Sequence, residues 1–305
     1  MKRTTVVFAA LLSSSVAVAQ QTPPADVTIR VEKIAPGVAV LFGQGGNIGL
    51  SYGVDGNVLI DDQFARLTPK ILAAVATVDP DPVQFQINTH FHGDHSGGNE
   101  NMAKAGAIIV AQDNVRTRMS QENMVPGGKV APSPTVALPI VTFSKDMSIY
   151  RNGDRLHIFY APHAHTDGDA IIHFEKANVV QMGDIFFNGL YPFIDIDSGG
   201  NVRGVIAAAD RVLAISNDQT RIIPGHGPVA SKADLVAYRA YLADVVGKVQ
   251  GAIKAGKTLA QVQAMKPSAS YDAKYGGAFI KPDALVAAIY ASLKGAPKGP
   301  HAAHH

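Results

Sequence analysis

The sequence predicts a mixed α/β fold built from two β-sheets packed together with helices on the outside. Three observations lead there. From Val27 to about Asp62 the chain is a series of short β-branched or apolar runs broken by glycine, the pattern of strands joined by tight turns. Strands followed by helix occur twice along the chain, the order expected of layered sheets. From Lys232 onward the pattern is helical, and no repeat at solenoid or propeller spacing competes with a layered domain.

Taken in order, residues 27–34, 38–42, 48–54 and 58–60 read as strands, with Gly37, Gly43, Gly45, Gly46 and Gly56 between them. Residues 68–78 read as a helix, because Pro69 falls in the first turn, where a helix tolerates it. An apolar strand at 83–88 leads into a histidine cluster. A helix at 96–105, a strand at 108–110 and a helix at 114–123 follow. The Pro- and Gly-rich stretch 125–139 reads as a long loop, and loops of that length often serve as lids or binding loops. Strands return at 149–150, 156–160, 170–174 and 179–182. A helix at 205–216 and a strand at 221–223 precede the final helices at 232–254, 259–265 and 282–293.

The 305 residues are 47% hydrophobic and 17% charged, which is globular composition at a length suited to one large domain or two small ones. There is no cysteine. Disulfides, thiolate ligands and a cysteine nucleophile are therefore excluded, and any metal must be held by His, Asp or Glu.

Residues 1–19 stand apart from the fold. Lys2 and Arg3 precede a compact apolar run at 6–12, and Ala17-Val18-Ala19 has the small-x-small pattern of a cleavage site. They read as a signal peptide, with Gln20 as the new N-terminus. The run is too short to span a membrane, and no second candidate span appears. The mature chain is expected to be soluble and periplasmic or secreted. Loss of Lys2 and Arg3 from a chain with 27 basic and 25 acidic residues leaves a net charge of about zero. Nucleic-acid binding needs a basic face, so that function is disfavoured.

The chemistry concentrates in Thr89-His90-Phe91-His92-Gly93-Asp94-His95. His90 and His92 are two apart, so in extended backbone they point the same way and can grip one metal. Asp94 and His95 follow on a turn that Gly93 permits and can reach a second metal beside it. Three later segments each place a candidate ligand at a strand edge beside glycine: His165-Thr166-Asp167-Gly168-Asp169, Gly183-Asp184 and Pro224-Gly225-His226-Gly227. One of these alone is an ordinary surface feature; the set in this order is a metal-site pattern.

With these residues the chain resembles the metallo-β-lactamase superfamily over about 27–241. The resemblance implies a four-layer αββα sandwich with extra C-terminal helices and a site at one edge between the sheets. The domain organisation it suggests is a catalytic domain at 27–245, a helical extension at 246–295 and a disordered tail at 296–305. It implies that His90, His92 and His165 hold a first zinc, that Asp94, His95 and His226 hold a second, and that Asp184 bridges them. Asp61, closing the strand at 58–60, matches an aspartate that orients ligands without binding metal.

Seven N and O donors suit two cations such as Zn²⁺, with Fe or Mn as alternatives. Two such ions roughly 3.5–4 Å apart can share a water and bring its pKa from 15.7 to about 7. That makes it a nucleophile for a carbonyl at neutral pH, oriented by Asp94, with Asp94 and Asp184 as the catalytic carboxylates. The partner is then a small-molecule substrate, with no nucleic acid and no membrane after leader cleavage, and the oligomeric state is left open.

Some features depart from the best-known β-lactamases. Asp184 stands where those carry Cys or Ser, which resembles the glyoxalase II, lactonase and phosphodiesterase branches. His92, where flavo-diiron proteins carry Glu, argues against that branch, and the added domains and basic clamps of the nuclease branches are missing. The leading reading is an exported hydrolase of an amide or ester carbonyl, with β-lactams among the candidates. Its alternatives are a lactone, thioester or phosphoester hydrolase and a non-catalytic periplasmic metal-binding module. Tyr191, Phe193 and Met124 are expected to border the pocket. His163, His157 and His173 are expected to play no metal role, and His301, His304 and His305 belong to the tail.

Overall fold

The computed structural model describes residues 27–125 and 128–295. The leader and the C-terminal tail expected from the sequence lie outside the described residues. The chain opens as an antiparallel meander: β1 (Arg30–Ala35), β2 (Val38–Phe42), β3 (Ile48–Ser51) and β4 (Asn57–Ile60). A 3-10 turn (Ala65–Leu67) and α1 (Thr68–Ala76) cross over to β5 (Val83–Ile87), which lies parallel to β4. The helix expected at 96–105 is divided at Gly97-Gly98 into α2 (Gly93–Ser96) and α3 (Asn99–Lys104). β6 (Ile108–Gln112), parallel to β5, is followed by α4 (Asp113–Met119).

The stretch expected to be a long loop is more ordered than its composition suggests. α4 stops at Met119, short of the expected 123, and Asn123 caps it by donating to the Arg118 carbonyl. Asn123 also begins β7 (Asn123–Val125), which pairs antiparallel with β8 (Gly128–Val130) as a hairpin outside both main sheets. A second 3-10 turn (Thr135–Ala137) leads to β9 (Val141–Phe143), which the sequence pattern did not reveal. β9 completes a seven-stranded sheet in the order β1-β2-β3-β4-β5-β6-β9.

The second sheet is assembled from the next part of the chain. β10 (Asp146–Arg151), β11 (Asp154–Tyr160), β12 (Ala170–Phe174) and β13 (Val179–Phe187) are antiparallel neighbours. α5 (Val202–Ile215), capped by the Asn201 side chain, returns the chain to β14 (Arg221–His226) parallel to β13. β15 (Ala230–Ser231) closes the edge. Four helices end the described residues: α6 (Lys232–Lys254), α7 (Leu259–Ala264), the unanticipated α8 (Ala269–Tyr275) and α9 (Pro282–Lys294). α6 runs unbroken across the boundary expected at 245.

Both faces of each sheet are buried, and the period-two pattern shows how. Val38 and Val40 point between the sheets, meeting Leu156, Ile158, Ile172 and Ile223 of the second sheet. Their neighbours Ala39 and Leu41 point outward against Leu67, Ile71 and Val75 of the first helical layer. On the far side, Val180 and Met182 pack under Val205, Leu235 and Leu242 of α5 and α6. Those α6 residues fall on one helical stripe with Tyr238, Val245 and Val249. The result is the four-layer αββα sandwich, with the C-terminal helices packed onto the outer layer of the second sheet.

Candidate metal centre

The centre lies where loops leave the C-terminal ends of the parallel strands in both sheets, the usual place for a ligand site in α/β architecture. β5 of the first sheet ends at Ile87, and the chain bends through Thr89, His90 and Phe91 to His92, which caps α2 in an extended conformation. From this short run come His90, His92, Asp94 and His95. The second sheet supplies His165 ahead of β12, Asp184 from within β13 and His226 from the end of β14. The strand expected at 179–182 continues to Phe187 around a register irregularity at Gly183. Gly183 has φ +51°, and a Cβ there would come within 2.6 Å of Thr89 Oγ1. Glycine is what lets the second sheet approach the first at this point.

All seven side chains converge. His90, His92 and His165 form one group of donor atoms, Asp94, His95 and His226 a second, and His90, His95 and Asp184 a third between them. Asp184 turns its Oδ1 to one side, 3.0 Å from His95 Nε2 and 3.4 Å from His226 Nε2. Its Oδ2 faces the other, 3.8 Å from His165 Nε2 and 4.0 Å from His90 Nε2.

Hydrogen bonds outside the cluster set the tautomer of each ring. His92 Nε2 donates to Asp195 Oδ2 at 2.9 Å, and His165 Nδ1 donates to the Phe193 carbonyl at 2.9 Å. With those N–H groups spent outward, the lone pairs of His92 Nδ1 and His165 Nε2 face each other 2.9 Å apart. Two buried lone pairs at that separation repel unless a cation lies between them. His90 Nδ1 donates to Thr89 Oγ1, and Thr89 donates its hydroxyl and its backbone N–H to Asp61. His95 Nδ1 donates to the same carboxylate at 2.8 Å. One buried aspartate, Asp61, therefore holds His95 directly and His90 through Thr89.

The inward atoms have no such partners. His90 Nε2, His95 Nε2 and Asp184 Oδ1 are buried without a hydrogen bond. His95 Nε2 and Asp184 Oδ1 are close, but their alignment is not that of a hydrogen bond. Leaving several buried polar atoms orphaned in one place is costly, and bound divalent metal would satisfy them. Burial drives the charged form out of His90, well below its ordinary pKa, and lowers His165 to about 4 despite Asp184. Both rings are therefore neutral and ready as ligands. Burial also opposes charge on Asp184, but His95 and His226 outweigh it and hold the carboxyl well below the usual range. His226 in turn, against burial, is raised to about 9 by Asp184 and Asp94.

The pocket guesses divide. Phe193 lines a cavity of about 730 Å³ that opens onto His92, Asp94, Asp184 and His226. Tyr191 does not: it is fully buried in the core under the C-terminal helices, its hydroxyl donating to Asp272. Met124 is also off the cavity wall; its neighbours in the hairpin, Asn123 and Val130, line it instead. His163 is exposed against the Gly199 carbonyl, and His157 and His173 face each other across β11 and β12. Asp195 and Thr89 escaped the sequence reading. Asp195 sits in a loop thirty residues from His165 with no motif around it. Thr89 adjoins the histidine run and was readable only as a strand end.

The sandwich holds between its two sheets a His/Asp cluster that could bind divalent metal. The family model described as the metallo-β-lactamase superfamily matches residues 43–226, and the chain belongs to that superfamily, whose members are mostly metal-dependent hydrolases. Among solved structures it is similar to a metallo-β-lactamase from Pontibacter korlensis, with a TM-score of 0.60 and 18% identity over 71% of this chain and 100% of that one. It is also similar to the inverting sec-alkylsulfatase Pisa1 from Pseudomonas sp., with a TM-score of 0.66 and 17% identity over 89% of this chain. The chain spans about half of that protein, 51% of its length. The DIM-1 metallo-β-lactamase matches with a TM-score of 0.57 and 14% identity over 70% of this chain and 97% of that one. At these identities the likeness is one of fold.

Proposed function

We propose that the protein is an exported dinuclear zinc hydrolase that cleaves an amide or ester carbonyl. The observation that carries this reading is the inward face of the cluster, where facing lone pairs and orphaned buried donors sit beside an open cavity. His90 Nε2, His92 Nδ1 and His165 Nε2 would hold one ion, and Asp94, His95 Nε2 and His226 Nε2 the other, with Asp184 offering one oxygen to each. Bound zinc supplies a water-derived nucleophile at neutral pH and polarises the carbonyl. Asp94, part-exposed to the cavity with its Oδ2 3.3 Å from His226 Nε2, accepts the proton of the attacking water and returns it to the leaving atom. Asp61 and Asp195 fix the histidine rings so that no reorientation is needed during turnover.

The test is metal content and hydrolysis together. The mature protein is expected to carry about two zincs per chain and to turn over a chromogenic β-lactam, a lactone or both. Chelation and His92→Ala should each abolish that activity. Full activity after zinc removal would defeat the reading. Asp184 favours a second reading, a lactone, thioester or phosphoester hydrolase, and rates on those substrates beside the lactam separate the two. Export through residues 1–19 predicts a secreted product whose mass begins at Gln20.

A further inference from the structure

The walls of the cavity narrow the substrate. Beyond the cluster itself it is lined by Phe64, Phe91, Phe193, Phe279, Met119 and Val130. The aromatic rings close on the metal ligands: Phe91 lies 4.6 Å from the His92 ring, Phe193 6.1 Å from it, and Phe279 6.5 Å from the His226 ring. Phe279 is 63% exposed and Val130 49% exposed. Large apolar side chains left in water beside a cavity mark a surface that a ligand covers.

Charge gives the second observation. Among the described residues no lysine or arginine lines the cavity. The cations beside it are already engaged. Arg118 gives two hydrogen bonds of 2.6 Å to Asp167 while lying over the Phe91 ring. Arg66 binds Gln44 and lies over Phe64, and Lys104 pairs with Glu100 at 2.6 Å. The charged groups on the wall outside the histidines are Asp94, Asp184 and Glu100. A carboxylate carried by the substrate away from its reacting carbon would lose its water there and meet no guanidinium or ammonium in return.

We propose that this centre acts on uncharged carboxylic esters, open or cyclic, with a long apolar arm, in preference to carbonyl compounds bearing a second, anionic group. The inference rests on the hydrolase reading above and specifies its substrate class. The water oxygen bonds to the acyl carbon and the acyl C–O bond breaks. One water proton ends on the departing oxygen, giving an alcohol, and the other is released as the new acid ionises.

The zinc-loaded enzyme should be assayed on p-nitrophenyl acetate, p-nitrophenyl octanoate and the mono-p-nitrophenyl ester of octanedioic acid. Each buried methylene contributes about fourfold, so burying even two of those that octanoate adds to acetate should raise kcat/KM about tenfold or more. The terminal carboxylate should lower it about tenfold or more against octanoate. Val130→Lys, a change on the exposed hairpin, should recover the carboxylate ester relative to the octanoate.

A second readout needs no turnover. N-phenyl-1-naphthylamine bound to the metal-free protein should be displaced by decanol and not by decanoate. Equal or faster turnover of the carboxylate ester, or a flat response to chain length, in an enzyme that does hydrolyse esters overturns this inference alone. A protein that, metal-free, prefers decanol to decanoate yet, zinc-loaded, hydrolyses no carbonyl substrate supports the cavity's selectivity and overturns the hydrolase reading.

Discussion

At the level of single side chains, Asp195 and Asp61 serve the cluster from different elements. Each accepts the outward N–H of a histidine, Asp195 from His92 and Asp61 from His95, and so points the opposite nitrogen inward. Removing such a partner typically costs 10–100-fold in metal affinity. Asp195→Ala should therefore weaken zinc binding by about 10–100-fold, read by competition with a chelating dye, while the far-ultraviolet circular dichroism stays unchanged. Unaltered affinity would show that packing alone orients His92. The same residues show what a sequence exposes. His90, His92, Asp94 and His95 were legible because four donors share six positions. Asp195 was not, because its partner is 103 residues away and no neighbouring pattern distinguishes it from a solvated loop carboxylate. Tyr191 misled for a related reason: nearness to Asp184 along the chain does not fix which face of a loop a side chain takes.

Among the elements, the strands with strict alternation or unbroken apolar character were the readable ones, and β2, β12 and α6 fall where the pattern put them. The failures have local causes. Paired glycines divided the expected helix at 96–105, and β9 has only three residues, too few to carry a periodicity. The β7–β8 hairpin was hidden by the Pro and Gly that bound it. β13 was cut short at Gly183 because glycine usually punctuates a strand. Here it allows a close crossing to Thr89 and keeps Asp184 inside the strand. Gly183→Ala should cost about 1–3 kcal/mol of stability, from the left-handed backbone and the contact with Thr89. The midpoint and slope of urea unfolding measure it, and an unshifted midpoint would mean that β13 can move aside.

For the whole molecule, the layered architecture was legible from the order of strands and helices, while the cavity was not, since its walls come from segments far apart in sequence. The partition of ligands between the sheets has its own consequence. Every strand of the first sheet precedes every strand of the second, so the chain is two consecutive halves meeting at residues 144–145. The first half carries His90, His92, Asp94 and His95; the second carries His165, Asp184 and His226. Under the proposed coordination neither half would own a complete shell, so tight capture of metal would require the halves to have docked. Zinc should then act as a rivet between them. At about a hundredfold excess over its dissociation constant it should add roughly 2.7 kcal/mol to unfolding. Co-expressed as separate chains 27–144 and 145–295, the halves should associate in zinc and come apart in chelator, as size-exclusion chromatography would show. A pair that stays together without metal would place the bond between the halves in their apolar faces alone. If the rivet holds, the supply of zinc would govern how much protein is assembled as well as how much is active.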